Sequence, residues 1–482
     1  MSEEPGHSDP GSDRSAVPDR PATYREVFGV GEFRAVFAGG ALSSIGDYLG
    51  KVALAALMYQ ATGSVLASAA SLAVTYLPWL TGAPFLVALA ERYPYRRVML
   101  VCDVARMLLV ALAALPWLPV PLLPVLMFLA AMLSPPFESS RSALLPMILS
   151  GDRYVLGLAV NGITAQATQV GGFVFGGAIA AVDPRLALAV DAGTFALSSV
   201  LIWLLVRARP AVPRTGARGK LLKETAEGFS VVFGNRVLRS IAVVILSAVG
   251  FAILPEGLSA GWAHELRGGT VTQGLIMAAE PVGAVIGGII IGRLVVPRVR
   301  RRLIRPLAML VPLSLVGALA GPPLPVVLAL AVLTGFAMSV ILPANGLFVQ
   351  ALPDGYRARA FGVMQGGLQL VQGAVIIVGG AVAGVFGVSR TVGLWSLLGL
   401  AVMAVVTLFW PTSAEFDAAI ARAKERNAAA EPVAATAPDD PGGPRTPDEA
   451  GEARTRDTNS RWRRRVHRPT GDVPRTAGAD RH

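Results

Sequence analysis

Charged side chains make up only 16% of the 482 residues, against roughly a quarter in an ordinary soluble domain. That shortage alone points away from a cytosolic enzyme. There is one cysteine, Cys102, so no disulfide framework can form. The four histidines are His7, His264, His467 and His482, too scattered for a metal site. Only His264 falls among the apolar runs, which leaves no His/Asp cluster or Ser/His pair for a membrane-embedded enzyme. The Gly-x-x-x-x-Gly-Lys-Ser/Thr phosphate loop does not occur, so ATP is not expected to drive anything from within this chain. No catalysis, cofactor or metal is expected. The first thirty or so residues are polar and acidic with no apolar stretch, so no cleaved signal peptide is expected.

What the chain has instead is long apolar runs. Apolar residues make up 53% of the sequence, and mean hydropathy is +0.56. A bilayer core takes about 20 mostly apolar residues per helix. Such runs occur at 33–59, 65–89, 98–118, 122–145, 155–182 and 186–206, then at 241–264, 271–291, 304–320, 324–348, 360–385 and 388–409. That is six, a long polar break, and six. Backbone groups in lipid must be satisfied within each segment, which favours helices, and the alternating pattern of barrel strands is absent. The expectation is an all-α integral membrane protein with twelve transmembrane helices in two six-helix bundles, 33–206 and 241–411. Residues 1–32 read as a disordered N-terminal tail and 412–482 as a disordered C-terminal tail rich in Ala, Pro, Asp and Arg. The linker 207–240 contains Leu222, Ala226, Phe229, Phe233 and Val237 on one helical face, which predicts an interfacial helix. In the C-terminal tail, the basic cluster at 461–465 reads as solvated low-complexity sequence, with weak headgroup contact as the alternative.

Lys and Arg set orientation. Twenty of them lie in the loops on the side of the termini: eight in the central loop, six between spans eight and nine, the rest in loops 2–3, 4–5 and 10–11. The opposite loops hold only Arg185, Arg267 and Arg390. The expectation is a multi-pass protein of the cell membrane with both termini cytoplasmic. Residues 34–411 hold 27 basic and 13 acidic residues, a net +14 that the acidic N-terminal tail brings down to the chain's +11. The high pI is therefore a topology signal that suits anionic headgroups, and no nucleic-acid partner is expected.

An internal repeat joins the halves. Gln166, Gln169, Gly176, Gly177, Ala178 and Val182 of span five recur as Gln369, Gln372, Gly379, Gly380, Ala381 and Val385 of span eleven, each 203 residues on. Two halves of the same orientation fit this offset, and parallel repeats of this kind are a transporter signature with the substrate path between them. Further carriers are Ser43-x-x-Gly46-Asp47, Thr62-Gly63-Ser64, Arg141-x-Ala143-Leu144-Leu145-Pro146, Asn161 and Asp191-Ala-x-x-Phe195. Loop 2–3 reads Val87-Ala-Leu-Ala-Glu91-Arg92, then Arg96-Arg97, and span five reads Gly172-Phe-Val-Phe-Gly176-Gly177. On these motifs residues 30–410 resemble the major facilitator superfamily, most closely its twelve-helix macrolide and siderophore exporters. Val87 and Glu91 stand where the superfamily's loop has glycine and aspartate, and Gly177 where its antiporters have proline.

The resemblance implies that spans one, four, seven and ten line a central cavity, and that the protein works as a monomer. Charges inside a membrane cost about 2.5–3.5 kcal/mol or more and are functional candidates by default. Asp47 and Lys51 lie one turn apart in span one, either a protonatable site or a self-neutralising pair. Glu256 follows Pro255, and Glu280 precedes Pro281, where a helix can bend around a site. Gln166, Gln169, Gln365, Gln369 and Gln372 offer uncharged amides to a cavity or bond between the halves. Glu138 and Arg141, with Glu91, Arg92, Arg96 and Arg97, form either a cytoplasmic gate or a snorkelling interfacial pair. Asp191, in an outer helix of the implied fold, reads as an interhelical hydrogen-bonding group.

The function these readings imply is secondary active efflux of amphiphilic small molecules, drug- or macrolide-like, exchanged for protons by alternating access. The partners are then a small-molecule substrate, protons and the bilayer. A dedicated exporter or importer of one metabolite, such as a siderophore, is the alternative. A membrane sensor is the non-transport reading, disfavoured by a tail without a folded domain.

Overall fold

Every apolar run has become a helix, as backbone that must satisfy its own hydrogen bonds requires. The structure is a computed structural model and describes residues 23–81, 83–90, 92–209 and 221–435. No strand occurs among them. The chain divides into two compact units, residues 1–424 and 425–482, and all the spans lie in the first.

Spans one, five and six are single helices, Gly31–Thr62, Asp152–Val182 and Pro184–Leu205. Span two is broken into Val65–Val74, Pro78–Thr81 and Ala83–Ala90. Thr75 turns its hydroxyl back to the Leu72 carbonyl at 2.7 Å just ahead of Pro78, and together they end the first piece. Span three is Tyr95–Ala113 and span four covers Val120–Ile148. In the second half, spans seven to twelve cover Arg236–Glu265 (in three pieces around Pro255 and Gly257), Thr270–Leu294, Pro297–Ala320, Leu324–Ala351, Asp354–Phe386 and Val388–Leu408. Ten helices among the described residues are long and apolar enough to cross a membrane. Span two, in pieces, and span three, which carries Arg96, Arg97, Asp103 and Arg106, complete the twelve.

The tails depart from the expectation of disorder. Tyr24–Gly29 is a short helix capped by Thr23, with Val27 buried and Phe28 edge-on to Phe33 and Phe37. After span twelve, Ser413–Ala435 is helical. Thr412 and Glu415 form a reciprocal cap at its start, and Phe416, Ala419 and Ile420 bury at helical spacing against the second half. That apolar stripe is why 413–435 does not behave as low-complexity tail. Residues 436–482, with the 461–465 cluster, and residues 1–22 lie outside the described residues.

The linker helix is Leu221–Gly234, and Asn235 caps span seven directly behind it. Its inward face is not the apolar stripe. Gly228 and Val232 are buried, with Gly228 against the Arg359 carbonyl, while Phe229 is exposed. Glu227 pairs with Arg359 at 2.9 Å. At the linker's other end Arg209 grips Glu32 of span one with both guanidinium nitrogens, one at 2.8 Å.

The repeated glycines divide their work in the same way in both halves. Gly176 of span five approaches Leu49 and Val52 of span one, and Gly379 of span eleven approaches Leu254 of span seven. Both contacts lie within a half. Gly177 instead meets Gly274 of span eight, and Gly380 meets Ala69 of span two, both across the seam. A Cβ on Gly177 would stand 2.7 Å from the Thr270 carbonyl oxygen, so only glycine lets these backbones touch.

The seam is closed at one end. Three hydrophobic clusters there mix the halves: Ala69, Ala73 and Tyr76 with Leu254, Trp262 and Ile376; Val52 and Phe173 with Met277; Ala55 and Leu72 with Ala260. Near the termini the clusters belong to one half each, around Val36, Met99 and Phe137, around Phe33 and Leu145, or around Ile241, Phe348 and Phe416. The two bundles therefore meet away from the termini and part toward them.

Candidate functional site

The interior charges are drawn together by spans one, three and six on one side and span seven on the other. Arg106 of span three is buried, 2% exposed, and pairs with Asp47 of span one, which is 43% exposed to a cavity. Its guanidinium stacks 4.1 Å from the Phe195 ring centre, a cation–π contact that partly offsets lost hydration. One turn earlier, Asp103 is buried and accepts hydrogen bonds from Ser43 at 3.2 Å and Ser198 at 2.6 Å. The Asp47 cavity has a volume of about 270 Å³ and is also lined by Tyr48, Lys51, Trp79, Glu138 and Gln369.

Lys51 does not pair with Asp47. Its ammonium reaches across the seam to Glu256 at 3.6 Å and donates to Tyr76 Oη at 3.3 Å. Tyr76 in turn donates to Glu256 Oε1 at 3.0 Å. The ammonium also lies over the Tyr76 ring, 4.8 Å from its centre. Glu256 reaches this position because Pro255 and Gly257 break span seven beside it. Three polar groups thus join span one, span two and span seven at the closed end.

Glu256 also lines a larger cavity of about 1410 Å³ between the halves, with Gln166, Gln169, Glu280 and Gln372. Its remaining wall is mostly apolar, including Ile163, Met277, Ile289 and Met338. Amides and two carboxyls on an apolar surface suit a molecule with a polar end and a greasy body. Gln365 lines a third cavity of about 410 Å³ with Glu138 and Trp79.

The structure brings together most of the residues singled out from sequence, though in different pairs. Arg141 binds Glu138 through two nitrogens, at 2.7 and 3.1 Å, and presses against Gly40 of span one. Arg96 donates to the Trp203 carbonyl at 2.5 Å, at the end of span six. Arg92 and Arg97 are exposed, and Glu91 lies outside the described residues. Asp191 is buried but makes no interhelical hydrogen bond. Sequence reading overlooked Asp103, Arg106 and Tyr76. Two charges three residues apart inside the 98–118 run were a legible signal for the first pair. Tyr76 carried none, since one tyrosine in an apolar run is ordinary.

The sequence pattern of the Major Facilitator Superfamily matches residues 36–320, more than half of the chain. The chain belongs to the Major Facilitator Superfamily. This membrane transporter is 29% identical over 387 residues to the multidrug efflux pump Tap of Mycolicibacterium fortuitum, spanning 76% of this chain and 93% of that pump. Its fold is that of solved transporters. A structure of the nucleoside transporter NupG aligns with TM-score 0.59 and 15% identity, over 79% of this chain and all of that one. The POT family transporter PepTSo aligns with TM-score 0.61 and 12% identity, over 78% and 97%. A bacterial homologue of the lysosomal transporter Spinster, inward-facing and unoccupied, aligns with TM-score 0.59 and 13% identity, over 84% and 96%.

Proposed function

We propose that this transporter exports amphiphilic, drug- or macrolide-like small molecules from the cytoplasm in exchange for protons, by alternating access of its two halves. One observation carries the reading: a seam latched at one end by Lys51, Tyr76 and Glu256, beside a large and mostly apolar cavity between the halves. The relative that is a multidrug efflux pump supports export, and the twenty-to-three bias of Lys and Arg supports cytoplasmic termini in the cell membrane. With that orientation the structure is the inward-facing member of the cycle. The half-boundaries 33–206 and 241–411, joined by the linker 207–240, serve as the rocking units, each monomer being complete. Asp47, with Arg106, is the coupling site; Glu256 and Glu280 with Gln166, Gln169, Gln365, Gln369 and Gln372 contact substrate; Glu138 and Arg141, with Arg92, Arg96, Arg97 and Glu91, form the cytoplasmic gate.

Accumulation of fluorescent dyes, macrolides and siderophores is the test, in a host stripped of its own pumps, with and without a protonophore. Protonophore-sensitive extrusion of several chemically unrelated compounds that is lost in Asp47→Asn supports the reading. Extrusion of a single metabolite would replace it with a dedicated carrier. No extrusion from a membrane containing the protein would sink export.

A further inference from the structure

Asp191 lies in the wall of the 270 Å³ cavity, one turn before Phe195 on span six. It is 1% exposed, and neither of its carboxyl oxygens has a hydrogen-bond partner. Space for it is cut out of span one, where a Cβ on Gly50 would stand 2.5 Å from Asp191 Oδ2, and Gly46 is approached as closely by Oδ1. The charged groups facing it come from two neighbours. Span one brings Asp47, and span three brings Arg106, with Asp103 one turn away. Span four presents Met127 to Gly50, and span five has no ionisable side chain beyond its first turn. Lys51 is turned away to Glu256.

Three carboxyls therefore share one guanidinium inside the bilayer. Asp47 has the ion pair and an opening to the cavity, and Asp103 has two hydroxyl donors. Asp191 has nothing. A carboxylate without protein donors or a paired counter-ion is the form that an apolar interior penalises most, whereas the neutral acid costs only a few kcal/mol to bury. An arginine cannot surrender its proton to relieve the imbalance, so a carboxyl must take one up.

We propose that Asp191 is a proton-binding site of this transporter, neutral while Arg106 pairs with Asp47 and deprotonated when Arg106 turns to it. The step balances simply. The O–H of Asp191 breaks, its proton passes to the cavity, and the guanidinium neutralises the carboxylate left behind. Asp47, released, is free to hold a cationic group of the substrate in the same cavity. The exchange of one proton for one positive charge at a shared arginine rests on the proposed export function, but the proton itself does not.

Infrared spectroscopy of the full-length protein in lipid, with aspartate ¹³C-labelled at the side-chain carboxyl, separates the two. Beyond the first turn of each helix, Asp47, Asp103 and Asp191 are the only aspartates in the spans. At neutral pH a labelled protonated-carboxyl band is expected in the wild type, and is expected to be lost both in Asp191→Asn and in Asp47→Asn/Asp103→Asn, where Arg106 has no other carboxyl left and turns to Asp191. A band that survives Asp191→Asn, or that persists in the double variant, overturns the proposal, and either variant alone decides if the other fails to fold. In proteoliposomes Asp191→Asn, which leaves Arg106 on Asp47, is expected to lose at least tenfold of the accumulation driven by a pH gradient. Undiminished gradient-driven accumulation in that variant also overturns it. If the wild type shows no gradient-driven transport, the export reading falls and the infrared result still decides Asp191.

Discussion

Lys51 of span one and Glu256 of span seven stand 3.6 Å apart across the seam between the halves, with the Tyr76 hydroxyl bonded to both. Their side chains are 20% and 13% exposed, so water screens the pair only in part. In the proposed cycle this contact must break whenever the closed end opens. Neutralising either partner is expected to favour the open arrangement by about 1–2 kcal/mol, a roughly 5–30-fold change in population. Tyr59 and His264 have ring centres 5.3 Å apart across the same end, and Cys102 is the sole cysteine. Cross-linking of Tyr59→Cys with His264→Cys in a Cys102→Ser background reads the population directly. Glu256→Gln should lower the yield, and Lys51→Glu with Glu256→Lys should restore part of it.

Gly177 and Gly274 meet backbone to backbone, and a Cβ on Gly274 would stand 2.5 Å from the Phe173 carbonyl oxygen. Backbone cannot give way as a flexible side chain can. Gly177→Leu and Gly274→Leu are each expected to wedge the closed end apart and abolish the same cross-link. Gly384→Leu, on span eleven, is the control, since a Cβ there meets nothing within 4 Å. Equal cross-linking in all three would show that the seam tolerates a side chain.

Asp47→Asn removes the formal charge opposite a buried guanidinium. Losing one partner of such a bond costs about 1–3 kcal/mol, reduced here because Asp47 is partly exposed and Asp103 is within reach of Arg106. A fall of a few degrees in the thermal midpoint in detergent is expected, with the protein still folded. Gradient-driven extrusion should disappear while binding of uncharged substrates persists. An unchanged extrusion rate would move the coupling site away from Asp47.

The helix Ser413–Ala435 supplies a pH test outside the membrane. The Thr412 backbone N–H donates to Glu415 at 2.7 Å, and with the Thr412 hydroxyl and Arg236 it holds the Glu415 carboxyl below its ordinary value of 4.5. A depressed carboxylate stabilises the folded form above that ordinary value, and the contribution drains away as pH falls through the lowered one. Proteolysis near 413–424 should therefore be slow at neutral pH and faster in acid. In Glu415→Gln it should be faster at neutral pH and insensitive to acid over that range.

Much of the architecture was legible along the chain, and much of the site was not. Hydropathy marked all twelve spans, and the 203-residue offset placed Gly177 and Gly380 in equivalent roles before their partners were known. The tail failed the same reading at Phe416, Ala419 and Ile420, because three apolar residues in an Ala-rich stretch make a helix face only when a surface waits to cover them. Asp47 and Lys51, one turn apart on span one, pair with Arg106 and Glu256 and not with each other. Spacing of four permits a pair on one helix, but it says nothing of a stronger partner arriving from another.

Sequence by itself determined the membrane class, the number of spans, the charge asymmetry and the parallel repeat. These are properties of consecutive residues and of composition, and lipid enforces them segment by segment. Only the tertiary structure decided that Asp47 meets Arg106, 59 residues away, that Tyr76 meets Glu256, 180 residues away, and that Asp191 meets no donor at all. Those outcomes depend on how each helix is rotated and tilted against its neighbours. Close packing over the whole bundle settles that rotation, and no single helix carries it.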